Sequence, residues 1–250
     1  MIVKDFMMAM EELCPSYYAE DFDNTGLLVG EPSMPVTGAL ITLDTLGTVV
    51  DEAIEKKCNL IISFHPIIFS GLKKLNNSSY VERVIHKAIK HDIAIYTMHT
   101  ALDNISHGVN AMISEKLHLQ NTSILIPKPN TIKKLTTYVP KANAEKLRNA
   151  LFDAGGGSIG NYNMCSFNVD GIGTFKGNEK SNPAIGTPGT TQFEKEIQIH
   201  LTYSAHLESK LLRALFQSHP YEEVAYEIQT LENVDQNRGI GMQGELPKPM

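Results

Sequence analysis

Apolar residues recur at near-helical spacing over residues 3–13, and a short apolar run at 39–43 ends at Asp44. Helical patterning returns at 49–57 and is followed by Asn-Leu-Ile-Ile-Ser-Phe at 59–64, a nearly continuous apolar run of the kind a strand buried on both faces shows. Residues 80–90 place Val81, Val84, Ile85, Ala88 and Ile89 on one helical face, behind an Asn-Asn-Ser-Ser stretch rich in capping residues. A second buried strand at 93–98 and a helix at 108–117 complete a βαβ rhythm, in which ligands bind beyond the carboxyl ends of the strands. Pro127 and Pro129 mark a boundary. Beyond it the pattern predicts strands at 134–139, 165–169, 171–175, 197–203 and 224–231, with helices at 142–154 and 207–217. These approximate two βαβ halves, a ferredoxin-like α+β arrangement, with the Gly-, Pro-, Asn- and Thr-rich stretch 177–191 as an exposed loop.

With 250 residues, 42% of them hydrophobic and 20% charged, the chain is long enough for one large domain or two smaller ones. No run approaches the length of a membrane span, and Asp5, Glu11 and Glu12 interrupt the apolar start that a secretory signal needs, so a cytoplasmic protein is expected. Cys14, Cys58 and Cys165 are odd in number and widely spaced, which fits neither a disulfide framework nor a metal knuckle and predicts reduced, mostly buried thiols. A formal charge of −6 leaves no basic excess for gripping phosphates, which argues against nucleic acid as the main partner.

The sharpest chemical signal is that two consecutive buried strands each run into a histidine, at Ser63-Phe64-His65-Pro66 and at Met98-His99-Thr100-Ala101-Leu102-Asp103. Neighbouring strand ends converge, and two imidazoles with a carboxylate suit a zinc, iron, manganese or nickel ion. His99 and Asp103, four apart, fall on one side of a turn or helix start. The spacing equally fits histidines that merely hydrogen-bond to nearby backbone, and both readings stand at this point.

The segments DNTGLLVG (23–30), SFHPIIFSGLKKL (63–75), MHTALDN (98–104) and HPYEEVAYEI (219–228) resemble, in order, the GTP cyclohydrolase 1 type 2 homologue family, also called the Nif-three-like family. The resemblance spans nearly the whole chain. It implies a Nif-three-like α/β lobe with a mixed sheet over residues 1–128 and a ferredoxin-like insert similar to PII and CutA proteins over 129–235. It further implies that 236–250 begin a return to a second lobe that this chain lacks. A homohexamer with a divalent-metal site is implied too, with His65 and Asp103 as ligands and His99 as a further ligand or supporting group. Two departures stand out. The family places two adjacent histidines at the first strand end, whereas here the first is Phe64, and the family's closing segment, with a further histidine and a metal-bridging glutamate, is absent.

Asp23, Asn24 and Gly26 sit in a loop that could face the same cleft, with a turn-forming role the stronger reading. Glu222 and Glu223 with His219 could bind a metal or ligand, but a structural role at the Pro220 turn is the stronger reading, and Gly155 to Gly157 lack the Lys-Ser/Thr of a phosphate loop. Two functions follow: a metal-dependent hydrolase acting on a nucleotide-like substrate, or a non-catalytic metal-binding or ligand-sensing oligomeric module.

Overall fold

The four strands of a mixed sheet in the first half of the chain lie in the order β1 (Gly26–Val29), β4 (Ala94–Thr97), β3 (Leu60–Ser63), β2 (Ala39–Thr42), with β2, β3 and β4 parallel and β1 antiparallel to β4. In this computed structural model, which describes residues 1–247, the elements run α1 (Val3–Leu13), β1 (Gly26–Val29), β2 (Ala39–Thr42), α2 (Gly47–Glu55), β3 (Leu60–Ser63), α3 (Tyr80–Lys90), β4 (Ala94–Thr97), α4 (His99–Asp103), α5 (Val109–Lys116) and β5 (Gln120–Pro127). Every residue of β3 and β4 is buried. Because successive side chains point to opposite faces, Ile61 and Ile95 join Val50, Ala53, Val84, Ile85 and Ala88 of α2 and α3, while Leu60, Ile62, Ala94 and Tyr96 pack with Val3 and Phe6 of α1. Helices therefore cover both faces of the sheet, which explains the uninterrupted apolar strands. Ser79, last of the polar residues before α3, caps that helix by accepting from the Glu82 amide (3.1 Å). Ile89, counted on its apolar face by spacing, is exposed.

Chain contacts divide the protein into two units, Met1–Pro127 with Gln236–Met250, and Lys128–Asp235. The second unit runs β6 (Ile132–Pro140), α6 (Ala144–Asp153), β7 (Phe167–Phe175), β8 (Gln192–Ser204), α7 (Glu208–Ser218) and β9 (Tyr226–Thr230). Its sheet is antiparallel throughout, in the order β7-β8-β6-β9. Leu135 and Val139 of β6, Ile199 and Leu201 of β8, Leu147 and Leu151 of α6 and Leu211 and Leu215 of α7 form one core between the sheet and the two helices.

Several strands differ from the sequence expectation. β7 is continuous where Asp170-Gly171 reads as a break, since β8 pairs with it residue for residue. β8 begins at Gln192, five residues early, because its polar start still has a partner strand. A last strand, β10 (Gly239–Glu245), pairs with β5 in the first unit, and neither was predicted, the apolar stretch of β5 being only Ile124 to Ile126. The cysteines are free thiols, Cys14 buried and Cys58 and Cys165 half-buried. No helix among the described residues is long and apolar enough to cross a membrane.

Candidate functional site

Thr42, Ser63 and Thr97 are in register across β2, β3 and β4, and two residues beyond each stand Asp44, His65 and His99. The ladder extends past the strands, with His65 N donating to Leu43 O (2.9 Å) and His99 N to Phe64 O (3.0 Å). Three side chains with metal-binding or proton-handling chemistry are thus delivered in a row at the carboxyl edge of the parallel strands, where α/β sheets place their ligands. Because β1 runs antiparallel, the residues just before it lie at that same edge, and Asp23 arrives beside His99.

Each histidine is held by a carboxylate. His65 Nδ1 lies 2.7 Å from Asp44 Oδ1, and His99 Nδ1 lies 2.7 Å from Asp23 Oδ1. A carboxylate only accepts, so Nδ1 donates in both pairs and the neutral ring keeps its lone pair on Nε2. The Asp23 side chain is fully buried, against 46% exposure for that of His65. It also accepts from Asn24 N (2.7 Å), Thr100 N (3.0 Å) and the Thr100 hydroxyl. Burial pushes the Asp23 carboxyl up, but these bonds from Thr100, His99 and Asn24 outweigh it and hold the group below the ordinary carboxylate value. His99 itself has φ +34°, a left-handed conformation uncommon outside glycine and held here by the Asp23 bonds and the Phe64 ladder contact.

The His65 and His99 rings are 5.6 Å apart and nearly perpendicular. Phe64 packs edge-on against both, at 4.9 and 5.5 Å, and Phe69 stands 6.4 Å from His99, so one wall of the site is apolar. Asp103, at the far end of α4, carries a carboxyl raised by burial, with His99 and His65 drawing it down and Asp23 raising it further. Among the described residues no hydrogen bond or ion pair occupies that carboxylate. Nor do any three His, Cys, Asp or Glu side chains there close around a point as a complete metal shell does. A cleft of about 550 Å³ opens beside His65, lined by Asp44, Ile67, Phe69, Leu72 and Tyr80.

The sequence-predicted residues thus meet in part: the two histidines lie side by side, and Asp103 is within electrostatic reach of both. Asp44 was missed as a support, and Asp23, weighed for the same cleft, was not assigned to it. For Asp44 the signal was available, since it ends an apolar strand as the histidines do. Asp23 was read as a turn residue, and only the antiparallel placement of β1 brings it to His99. Elsewhere, His219 donates through Nε2 to Tyr138 O (2.9 Å) and accepts at Nδ1 from Tyr221 N (3.1 Å), which leaves it no nitrogen for a ligand.

A profile of the Duf34/NIF3 (NGG1p interacting factor 3) family matches residues 1–250. The chain is 40% identical over 248 residues to a Bacillus subtilis protein named GTP cyclohydrolase 1 type 2 homolog, covering 99% of this chain and 66% of that protein. It is 36% identical over 250 residues to the Staphylococcus aureus protein of the same name, covering 100% and 68%. Among solved structures, a Bacillus cereus protein related to NIF3 superimposes with a TM-score of 0.83 at 38% identity, covering 99% of this chain and 66% of that one. A Staphylococcus aureus protein follows with a TM-score of 0.70 at 33% identity, covering 99% and 64%. The chain spans about two thirds of the length of these relatives. On the full-length profile match and these identities, the chain belongs to the Duf34/NIF3 family.

Proposed function

We propose that the first unit carries part of a divalent-metal centre, in which His65 and His99 bind through Nε2 and Asp103 through its carboxylate, and that this centre serves a metal-dependent hydrolase. The observation that carries the reading is the pair of Asp–His contacts. Imidazoles that ligate metals characteristically donate their other nitrogen to a carboxylate, which fixes the tautomer and the ring, and here two adjacent histidines do so through Asp44 and Asp23. The donor set of two nitrogens and one oxygen fits zinc, iron, manganese or nickel. When bound, such an ion lowers the pKa of a coordinated water toward neutrality and so supplies a nucleophile. This chain's own residues hold the donors in place: Asp23 and Asp44 keep the Nε2 lone pairs available, and Phe64 and Phe69 keep the His99 side dry. The relatives' name supports a nucleotide-like substrate, for which the cleft beside His65 offers room.

A second reading, a metal-binding or ligand-sensing module without turnover, is favoured by Phe64, which puts a ring with no lone pair beside both histidines. The β-α-β-β-α-β order and the β7-β8-β6-β9 sheet of the second unit support a ferredoxin-like domain of the PII and CutA kind. Free thiols support a cytoplasmic setting. Assembly with further copies, six in the family, is part of the same proposal. Titration with Co²⁺, followed by visible absorption, tests the centre. A band at saturation that His65→Ala and Asp103→Ala abolish is expected. A spectrum indifferent to both substitutions removes the proposal, and a bound ion without turnover of nucleotides or phosphoesters selects the second reading.

A further inference from the structure

The second unit holds a cavity of about 500 Å³, within the range of small-molecule sites, that the metal proposal does not use. Its walls are Ile172 and Phe175 of β7, Tyr138 of β6 and Tyr221 beyond α7, and the loop through Ser181 and Ile185 closes over it. That loop is fastened down where Asn182 N donates to Glu222 Oε1 (2.8 Å). Glu196 of β8 lines the cavity with only 9% of its surface exposed. Its Oε1 accepts from the Tyr221 hydroxyl (2.8 Å), whereas its Oε2 lies over Gly173, where the missing side chain leaves room, and has no hydrogen-bond donor among the described residues. None of the ion pairs there involves Glu196. One oxygen of this carboxylate is thus tied to a tyrosine while the other stays open to the cavity, placed to pair with a cation bound there.

We propose that this cavity binds a small organic cation, a primary amine carried on an aromatic or aliphatic body. The ammonium group pairs with the open Oε2 of Glu196, the apolar body lies against Ile172, and the ring faces of Phe175 and Tyr221 attract the same charge. Glu222 and Glu223 at the rim add to the negative field, against Lys176 alone. The His219 contacts with Tyr138 and Tyr221 fix the Tyr221 backbone, so the histidine is a positioning residue for the site rather than a contact.

The test is titration of the ¹⁵N-labelled full chain with three near-isosteres: 2-phenylethylamine, 3-phenylpropionate and 2-phenylethanol. The expected result is saturable shifts of the Gly173, Gly177 and Tyr221 amides with the amine, at an affinity at least about tenfold above the other two. Glu196→Gln is expected to erase that preference. Amides unmoved by the amine at roughly 10 mM, or an acid or alcohol that binds as well, overturns the proposal. If Glu196→Gln loses its fold, the ranking of the three compounds on the unmodified chain decides alone.

Discussion

Replacing Asp23 with Ala tests how the site is built, because one buried carboxylate accepts from four donors: His99 Nδ1, Thr100 N, the Thr100 hydroxyl and Asn24 N. Thr100 is itself buried, so its donors do not all reach water when the acceptor goes. An unpaired buried donor costs about 1–3 kcal/mol. With the hydroxyl free to turn and water entering the space, a net loss of about 3 kcal/mol is expected, a large share of a stability of roughly 5–15 kcal/mol. The chain has no tryptophan, so urea unfolding is best followed by far-UV circular dichroism. At a slope of about 1–3 kcal/mol per molar, the midpoint falls by roughly 1 M or more. Hydrogen exchange at the Thr100 amide reports the same event locally, as lost protection. A destabilisation under about 1 kcal/mol with Thr100 protection unchanged would refute the reasoning, since the carboxylate would then not be what holds His99 and the start of α4.

The remaining predictions are independent of one another. Burial holds the His219 ring below its ordinary value of 6.5, against the raising effects of the Tyr138 bond and of Glu196. The unfolded chain therefore takes up this proton first, so the contribution of His219 is present above about pH 6.5 and is lost as pH falls toward the depressed folded value. Melting temperatures of the unmodified chain and of His219→Gln across pH 5–8 should differ in slope below that point, and parallel curves would count against the buried neutral ring. Leu147→Ala, at a fully buried position in the second unit's core, should cost about 2–5 kcal/mol by calorimetry; a loss below that range means the site collapses around the deletion. Phe64→His adds a nitrogen ligand beside His65 and His99 and should raise Zn²⁺ affinity in a competition assay with a chromophoric chelator, whereas unchanged affinity would mean position 64 faces away from the ion.

The two histidines were legible because each ends a strand buried on both faces, and a run such as Leu-Ile-Ile leaves little choice of structure. Their supports were hidden by pairing between distant segments. Asp44 belongs to the site only because β2 lies beside β3, and Asp23 only because a four-residue strand folds back antiparallel on β4 from 76 residues away. The β5–β10 ribbon was invisible for the same reason, since Gly239 meets Pro127 and most of both strands is exposed, so nothing alternates. In the second unit helix and strand types followed the apolar pattern, while strand lengths followed the partner: β7 runs through Asp170-Gly171 because β8 supplies its hydrogen bonds.

The proposed centre holds a divalent ion on His65, His99 and Asp103. Elemental mass spectrometry on protein purified without chelator, beside the His65→Ala, His99→Ala and Asp103→Ala forms, tests it most directly. The account predicts a transition metal in the unmodified chain that falls to background in all three variants. Metal retained equally by the variants, or none in the unmodified chain, would contradict it.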